Sequence, residues 1–415
     1  MSSRKTQILM IGSYAIANPV HGGQRRAFAI YNFYIKSGFE VKYIGIYRAA
    51  HYRDNKDRGK DDLAVADGIF YKAKQQLRNL KKGIDEYDDI ISATAVSTNK
   101  ELSNELSSQI SKADIVQIEQ PYCYIAFPKK VTVSKLIYSS HNVESKLRAS
   151  ESLEGDTELV AKYVGSLEEG IVRKANGIIV CTKEDGKYYQ DKYNFDNRNN
   201  LALLPNATSL KKTNNRARRK INNLLTKRGV ENYILFISSA HKPNFDAFMN
   251  LIGYGLGFLS PGNFIVMAGE VSLLLNQELE NNKDPLVTCI LQKILLVSKA
   301  NDAELQAFIE KAKGIILPII GGGGSNLKTA EALISGKSII ATSNAFRGYD
   351  GYIQNKNVYI ANTKKEFIDK IKQLFNKNLP DDEGSKLQIT KELIWEGRFA
   401  EYGDKINSII LRQIS

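Results

Sequence analysis

The segment Gly321-Gly322-Gly323-Gly324-Ser325-Asn326-Leu327-Lys328-Thr329-Ala330-Glu331 joins two patterns that decide the fold. Before it, the apolar run 314–320 predicts a buried strand. After it, an apolar-periodic helix runs to Gly336, and a second apolar run follows at 338–342. Glycine between a strand and a helix lets the backbone approach an anion, and the free N–H groups of the helix's first turn point toward that anion. The segment therefore predicts α/β structure with an anion site at the start of this helix.

Two charged side chains on the predicted helix suit a ligand that carries both phosphate and hydroxyl groups. Lys328 places a positive charge one turn into the helix. Glu331 lies one turn further along the same face, where its carboxylate can accept hydrogen bonds from sugar hydroxyls. We therefore expect a phosphorylated sugar compound, with its diphosphate at the loop and its hydroxyls at Glu331. The residues predicted here to bind it are Gly323, Gly324, Ser325, Asn326, Leu327, Lys328 and Glu331.

Apolar runs typical of buried strands alternate with longer helical patterns along most of the chain, which predicts parallel sheets. Six runs lie in the first half, at 8–12, 41–47, 114–118, 135–139, 177–181 and 201–204. Six lie in the second half, at 233–238, 263–268, 293–297, 314–318, 338–342 and 357–360. This pattern predicts two doubly wound, Rossmann-like domains that face each other, with the ligand in the cleft beyond the carboxyl ends of their strands.

We place the N-terminal domain at 1–206, the C-terminal domain at 207–390, and a C-terminal helix that packs back on the N-terminal domain at 391–415. The highly charged segment at about 52–110 predicts two or three helices inserted after the second strand. The segment 206–228 contains eight basic residues and no acidic ones. It fits either a flexible or helical linker or a surface that faces phosphate groups or a membrane.

Two polar segments of the first half allow a binding interpretation beside a purely structural one. Gly22-Gly23 opens a helix predicted at 25–37, either as a plain tight turn or as a second backbone cradle for phosphate. The segment His141-Asn142-Val143-Glu144 follows the fourth strand. It can bond a sugar and move a proton, or it can cap the next helix. We predict that Asn142, Glu144 and Arg25 contact the acceptor.

Two residues after the first strand of the second half complete the predicted donor site. Lys242 can approach a diphosphate. Asn244 fits a helix cap and a binding residue equally well.

The composition limits the classes of function. The chain has 415 residues, and no apolar run approaches the roughly 18 to 20 residues that span a bilayer. A net charge of +13 fits a solvated basic surface, an anionic membrane face or phosphorylated substrates, whereas no motif supports nucleic-acid binding. The three cysteines lie far apart and no Cys/His spacing suits a metal. We therefore expect reduced thiols, no bound metal, and a cytoplasmic protein that is free or peripheral on the inner membrane face.

The segment 321–331, together with Gly22-Gly23 and 141–144, resembles the retaining group-1 glycosyltransferases of the GT-B fold, which are family-four-like enzymes. Weaker signatures occur in the family's order at 175–182, 203–206, 236–245 and 317–318. The resemblance covers most of the chain, with 52–110 as the main departure. It implies transfer of a sugar from a nucleoside-diphosphate donor to a hydroxyl of a glycan or glycolipid, with retention and without a tightly bound metal or other cofactor. It also suggests surface polysaccharide, lipopolysaccharide or capsule synthesis in a bacterium.

The resemblance also implies roles for individual residues. Glu331 matches the second glutamate of the family's two-glutamate motif, which contacts the nucleotide ribose. His141 matches the histidine near the transferred sugar, and Gly22 and Gly23 match the glycine loop near the phosphates. We predict His141, Lys328 and Glu331 as the catalytic residues. Lys242 and Lys328 are the candidates for the family's basic pair that holds the diphosphate.

One departure keeps other functions open. Gly323 stands where the family has its first glutamate, and we expect its N–H group, with Ser325 and Asn326, to replace that side chain. A non-catalytic GT-B protein that binds sugar nucleotides or stabilises a complex is therefore an alternative, as is a nucleotide-sugar epimerase. Transfer by the purified chain argues against the first, and a new sugar isomer formed from donor alone identifies the second.

Overall fold

The protein is described by a computed structural model, which covers residues 4–52, 54–80, 83–128, 135–149, 157–195, 200–240, 242–282, 284–321, 324–377 and 383–412. The chain divides into two compact units. The first comprises Met1–Pro205 with Arg398–Ser415, and the second comprises Asn206–Gly397.

A seven-stranded sheet forms the centre of the first unit, and the paired strands run parallel. The strand order is β3-β2-β1-β4-β5-β6-β7, so the winding direction reverses between β1 and β4. The strands are β1 (Gln7–Gly12), β2 (Glu40–Arg48), β3 (Leu63–Val65), β4 (Ile115–Ile118), β5 (Leu136–Ser139), β6 (Gly177–Val180) and β7 (Leu201–Leu203). The six predicted runs of this half are all present, and β3 is an additional strand within the charged segment.

The second unit contains a six-stranded parallel sheet in the order β10-β9-β8-β11-β12-β13, with its reversal between β8 and β11. Its strands are β8 (Asn232–Ile237), β9 (Asn263–Ala268), β10 (Ile294–Val297), β11 (Gly314–Leu317), β12 (Ser338–Ala341) and β13 (Val358–Ile360). This order is typical of dinucleotide-binding sheets, whose ligands bind where the winding reverses. The prediction of two doubly wound α/β domains is confirmed.

Helices cover both faces of each sheet, which explains why the strands are apolar on both sides. In β1, Leu9 and Ile11 belong to one buried cluster, while Ile8 and Met10 belong to another. The helices of the first unit are α1 (Gly22–Lys36), α2 (Asp67–Leu80), α3 (Asp88–Thr98), α4 (Lys100–Lys112), α5 (Glu144–Ala149), α6 (Thr157–Lys174) and α7 (Lys183–Tyr193). Those that follow are α8 (Asn215–Lys227), α9 (Lys242–Leu251), α10 (Val271–Asn281), α11 (Pro285–Thr288), α12 (Asp302–Lys311), α13 (Leu327–Ser335), α14 (Lys364–Lys377), α15 (Glu383–Leu393) and α16 (Trp395–Leu411).

The charged segment at 52–110 contains β3, α2, α3 and most of α4. Its apolar side chains join the first unit's core, since Ile90, Ile91 and Val96 of α3 are fully buried. The segment is therefore an integral layer of that unit.

The first unit also includes most of α16, from Arg398 onward. Phe399 stacks on Phe33 of α1 with 4.3 Å between ring centroids and an angle of 7° between the planes. Ile406 and Ile409 are buried in the same cluster as Ile8. This portion of α16 thus covers one face of the seven-stranded sheet.

Candidate functional site

The described part of the glycine-rich segment is held by neighbours that are distant in sequence. Gly324 adopts a left-handed φ of 59°, and its carbonyl accepts a hydrogen bond from Arg347 Nε at 2.6 Å. Ser325 Oγ accepts from the Asn206 N–H group, and the Ser325 carbonyl accepts from Asn206 Nδ2, both at 2.9 Å. These bonds fix the backbone immediately before α13. Gly323, predicted to bind the donor, lies outside the described residues.

Asn326 is the N-cap of α13. Its side-chain oxygen accepts a hydrogen bond from the Lys328 N–H group at 3.0 Å, and Leu327 is the first helical residue. The helix ends at Gly336, whose φ of 73° is left-handed. The start of α13 therefore offers a fixed N-terminus whose partial positive charge favours anions.

Lys328 lies at the point where the winding of the second sheet reverses. Its Nζ donates to Ser238 Oγ at 3.0 Å; Ser238 directly follows β8, and Lys328 belongs to the helix after β11. Burial lowers the pKa of Lys328 to about 8, and the nearby Glu331 carboxylate acts in the opposite direction. A desolvated ammonium group here gains more from an anionic ligand than an exposed one would.

Glu331 forms an ion pair with Lys211, with 2.8 Å between Nζ and Oε1. Only 11% of the Lys211 side chain and 14% of the Glu331 side chain are exposed. Lys211 also approaches Asp302 at 3.5 Å. Sequence reasoning placed Lys211 in the basic segment 206–228 and missed this contact, because nothing local links residues 120 positions apart.

A small pocket lies between β8, β11 and α13. Lys328 and Glu331 provide its charged groups. The remaining lining side chains are apolar: Ile237, Ile309, Ile315, Leu317 and Ala332. The predicted catalytic pair of this unit is therefore brought together at the carboxyl edge of the sheet.

The other two predicted donor residues of this unit lie on α9. Lys242 is exposed, and its Nζ donates to both carboxylate oxygens of Asp246, at 2.8 and 2.9 Å. Because α9 begins at Lys242, Asn244 lies inside the helix, so its interpretation as a helix cap is wrong. Asn244 is partly buried in the first turn.

In the first unit, α1 begins at Gly22 rather than at Arg25, and His21 is its N-cap. His21 Nδ1 accepts from the Gln24 N–H group at 3.4 Å, while Gln24 Oε1 accepts from the His21 N–H group at 3.2 Å. Burial, followed by the charges of His141 and Arg25, lowers the pKa of His21 to about 4, which keeps this acceptor neutral at physiological pH. Arg25 lies partly buried in the first turn.

Gly23 has a packing reason for lacking a side chain. A Cβ atom at this position would lie 2.6 Å from the Tyr14 hydroxyl oxygen. Tyr14 follows β1, and its hydroxyl lies 3.2 Å from His141 Nδ1. The absence of a side chain at Gly23 thus admits the tyrosine that contacts the predicted catalytic histidine.

His141 follows β5 and is 9% exposed. Its Nε2 lies 2.9 Å from Oε2 of Glu119, a carboxylate at the end of β4 that is fully buried. Glu119, Tyr14 and His141 therefore meet around the first sheet's reversal point, between β1 and β4. Sequence reasoning identified His141 but missed both of its partners.

The two acceptor candidates beside His141 take part in internal bonds. Asn142 Nδ2 donates to Glu144 Oε1 at 2.9 Å, and Tyr122 donates to Glu144 Oε2 at 2.8 Å. The start of α5 is capped by Glu168, whose carboxylate accepts from the Glu144 N–H group at 2.7 Å and the Ser145 N–H group at 3.2 Å. Burial raises the pKa of Glu168 to about 7.

Two features are absent from the ranges that the structure describes. No helix in these ranges is long and apolar enough to cross a bilayer. No group of three or more His, Cys, Asp or Glu side chains in the same ranges is arranged to hold a metal ion.

No protein-family model and no curated protein matches the sequence, but solved structures match its fold. Sucrose-phosphate synthase from Thermosynechococcus elongatus has a TM-score of 0.68 at 11% identity, covering 98% of this chain and 100% of that one. A glycosyltransferase from Rickettsia africae has a TM-score of 0.62 at 15% identity, covering 98% and 99%. Anabaena HepE in complex with UDP has a TM-score of 0.60 at 11% identity, covering 97% and 100%. At such identities the likeness concerns the fold, and this chain has the GT-B fold of these glycosyltransferases.

Proposed function

We propose that this chain is a retaining glycosyltransferase that moves a sugar from a nucleoside-diphosphate donor to a hydroxyl of a glycan or glycolipid. The observation that carries the proposal is the Lys328–Ser238 hydrogen bond across the reversal point of the second sheet, beside the N-terminus of α13. Ligands of doubly wound sheets bind at this point. A desolvated lysine and a helix N-terminus together favour a diphosphate.

Bound nucleotides in structures of the same fold support this choice of ligand. HepE has been solved with UDP-glucose, and the catalytic domain of starch synthase IV from Arabidopsis thaliana with ADP and acarbose. In the proposed complex, Lys328 and the first N–H groups of α13 neutralise the charge that develops on the departing diphosphate. Glu331 accepts hydrogen bonds from the ribose hydroxyls. Lys242 and Asn244 provide further contacts to the donor.

The first unit supplies the sugar and acceptor side of the proposed reaction. Following the resemblance, we assign the loop that carries His141 to the transferred sugar and the Gly22-Gly23 turn to phosphate binding. Arg25, Asn142 and Glu144 contact the acceptor. We further propose that the donor binds without a tightly held metal, and that the protein works in the cytoplasm in surface polysaccharide, lipopolysaccharide or capsule synthesis. Its net charge of +13 would favour an anionic inner-membrane face.

A ligand screen followed by a transfer assay tests the function. The melting temperature is measured with UDP, GDP, ADP and their sugar conjugates, because stabilisation grows with ligand concentration relative to Kd. The stabilising donor is then incubated with glycan acceptors, and the anomeric configuration of the product is read by NMR. Transfer with retention supports the proposal, and inversion contradicts the stereochemistry. Donor binding without turnover would identify a non-catalytic protein, and a new isomer from donor alone would identify an epimerase.

Glu331→Gln should weaken nucleoside-diphosphate binding about tenfold, because a neutral amide oxygen accepts a weaker hydrogen bond from the ribose than the carboxylate does. Calorimetry with the diphosphate chosen by the screen and with its 2′-deoxy analogue measures this. Since both changes act on the same contact, their effects should not add. Glu310→Gln is the matched control, because it makes the same change at an exposed glutamate of α12, which forms an ion pair with Arg218 of α8. Full additivity, or equal affinity in wild type and Glu331→Gln, would exclude the ribose contact.

A further inference from the structure

Glu119 is a fully buried carboxylate whose two oxygens have separate partners. Oε2 faces His141 Nε2 at 2.9 Å, and Oε1 accepts from Gln117 Nε2 at 2.5 Å. Gln117 is fully buried as well, and its Oε1 accepts from the Tyr34 hydroxyl at 2.6 Å. The tyrosine thereby orients the amide so that Gln117 donates to Glu119.

A second chain of hydrogen bonds reaches the other nitrogen of the imidazole. The Ser13 backbone N–H group donates to Gln120 Oε1 at 2.9 Å, so the amide nitrogen of Gln120 faces the Tyr14 hydroxyl at 2.5 Å. The Tyr14 oxygen accepts that bond and keeps one proton and a further lone pair, so it can either donate to or accept from His141 Nδ1 at 3.2 Å. A backbone N–H can only donate, so the orientation of the Gln120 amide is determined, and the Tyr14 hydroxyl adapts to the form of the imidazole.

The Glu119 carboxylate selects the form of the neutral His141 ring, and the Tyr14 hydroxyl can then donate to the nitrogen that is left unprotonated. The ionised carboxylate of Glu119 can only accept, so Nε2 carries the imidazole proton. The order hydroxyl, imidazole, carboxylate is the one found in catalytic triads, where the carboxylate selects the tautomer of the histidine.

We propose that Glu119 is a positioning residue for the proposed sugar transfer, holding His141 in the tautomer with its proton on Nε2 and leaving Nδ1 as an acceptor on the side of Tyr14. This inference rests on the proposed function for its reaction, but the tautomer is a property of the protein alone. The carboxylate also anchors the loop after β5, because His141 is its partner there.

The tautomer can be read directly from long-range ¹H–¹⁵N NMR spectra of the histidine rings, under mildly basic conditions in which free imidazole is neutral. The chain has four histidines, so the signals of His141 are identified by their loss in His141→Asn. Wild type should show a protonated Nε2 and an unprotonated Nδ1. A proton on Nδ1, or an even mixture of the two forms, would overturn the proposal.

Glu119→Gln should reverse the pattern. The amide oxygen then takes the bond from Gln117, and the amide N–H₂ faces His141 Nε2, which must become the acceptor. Tyr14→Phe is the matched control: it removes a partner of the same ring but leaves Glu119, so the proton should stay on Nε2. An unchanged tautomer in Glu119→Gln contradicts the proposal. If Glu119→Gln fails to fold, the spectra of wild type and Tyr14→Phe still test the proposal. Loss of the Nε2 proton in Tyr14→Phe would contradict it, because Glu119 is unchanged in that variant.

With the donor from the screen, Glu119→Gln should lower kcat about 100-fold, as expected for a wrong tautomer, and change KM much less. An unchanged kcat in a variant whose tautomer has reversed would exclude a role in transfer. Absence of transfer by wild type itself would defeat the proposed function, whereas the NMR result would still establish or refute the assignment of the proton.

Discussion

Lys328→Met should weaken the binding of nucleoside diphosphates about 100-fold and nevertheless make the free protein more stable at neutral pH. The loss of affinity follows from removing a desolvated cation that the proposed site uses against the diphosphate, a charge-assisted bond of about 2 to 3 kcal/mol. Groups that serve a binding site often cost stability, so lower affinity together with higher stability is the result expected if Lys328 belongs to the site.

The gain in stability follows from the lowered pKa of Lys328, about 8 in the folded protein against an ordinary 10.5. Between these pH values the unfolded chain binds more protons than the folded one, so wild-type stability rises with pH across this window. At neutral pH the folded protein bears the full free-energy cost of keeping the buried Lys328 ammonium group charged, about 3 kcal/mol. The bond to Ser238 is also lost, which removes about 1 kcal/mol, so Lys328→Met should gain about 2 kcal/mol.

Urea unfolding of both proteins across the window measures the effect: the gain of Lys328→Met should shrink as the pH rises and become a loss of about 1 kcal/mol, the Ser238 bond, above about pH 10.5. Lys227→Met is the matched control, because Lys227 is an exposed lysine at the end of α8 and the change in net charge is the same. A Lys328→Met protein that is less stable than wild type at neutral pH would refute the burial cost. Unchanged diphosphate affinity would remove Lys328 from the site.

Gly269→Ala should lower the free energy of unfolding by about 4 kcal/mol. Gly269 directly follows β9 with a left-handed φ of 101°. An added Cβ would lie 2.2 Å from the carbonyl oxygen of Ser238. Because that oxygen is backbone, no rotation of a side chain relieves the contact. The strand end would have to move, and Ser238 is the partner of Lys328.

Chemical denaturation compares Gly269→Ala with Gly255→Ala. Gly255 is exposed, its Cβ position is open, and its φ is not left-handed, so its substitution should change stability by less than about 0.5 kcal/mol. The Gly269→Ala protein should also bind diphosphates more weakly, since the backbone under the Lys328 contact is displaced. A loss below about 1 kcal/mol would mean that β8 and β9 separate easily at this edge, contrary to the packing.

The sheets were predictable because parallel strands buried on both faces leave unbroken apolar runs. The strand β3 was not predictable, because Leu63–Val65 is only three residues long and lies in a charged segment. Its position depends on Asp62, which accepts from the Gly45 N–H group at 2.7 Å and the Tyr47 hydroxyl at 2.9 Å. The basic segment 206–228 contains a true helix, α8, since Ala217, Ile221 and Leu225 are buried at helical spacing.

The candidate site was predictable only where its residues are neighbours in sequence. Lys328 and Glu331 share one helix face by their spacing alone. Their partners Ser238 and Lys211 are 90 and 120 positions away, so only the folded chain brings them together. The same holds for Glu119, because nothing in the sequence around it indicates that it faces His141. Local spacing also misled us at Asn244, where a polar residue near a helix start suggested a cap.

The position of α16 bears on how the protein can be divided for experiments. A recombinant fragment that stops at Pro205 would keep every strand of the seven-stranded sheet but omit Ile406, Ile409 and Ile410, which lie against Ile8 and Met10. The uncovered hydrocarbon would favour self-association, so such a fragment is a poor choice for crystallisation or ligand titration. A fusion that joins 398–412 to its end by a flexible tether would restore the missing cover.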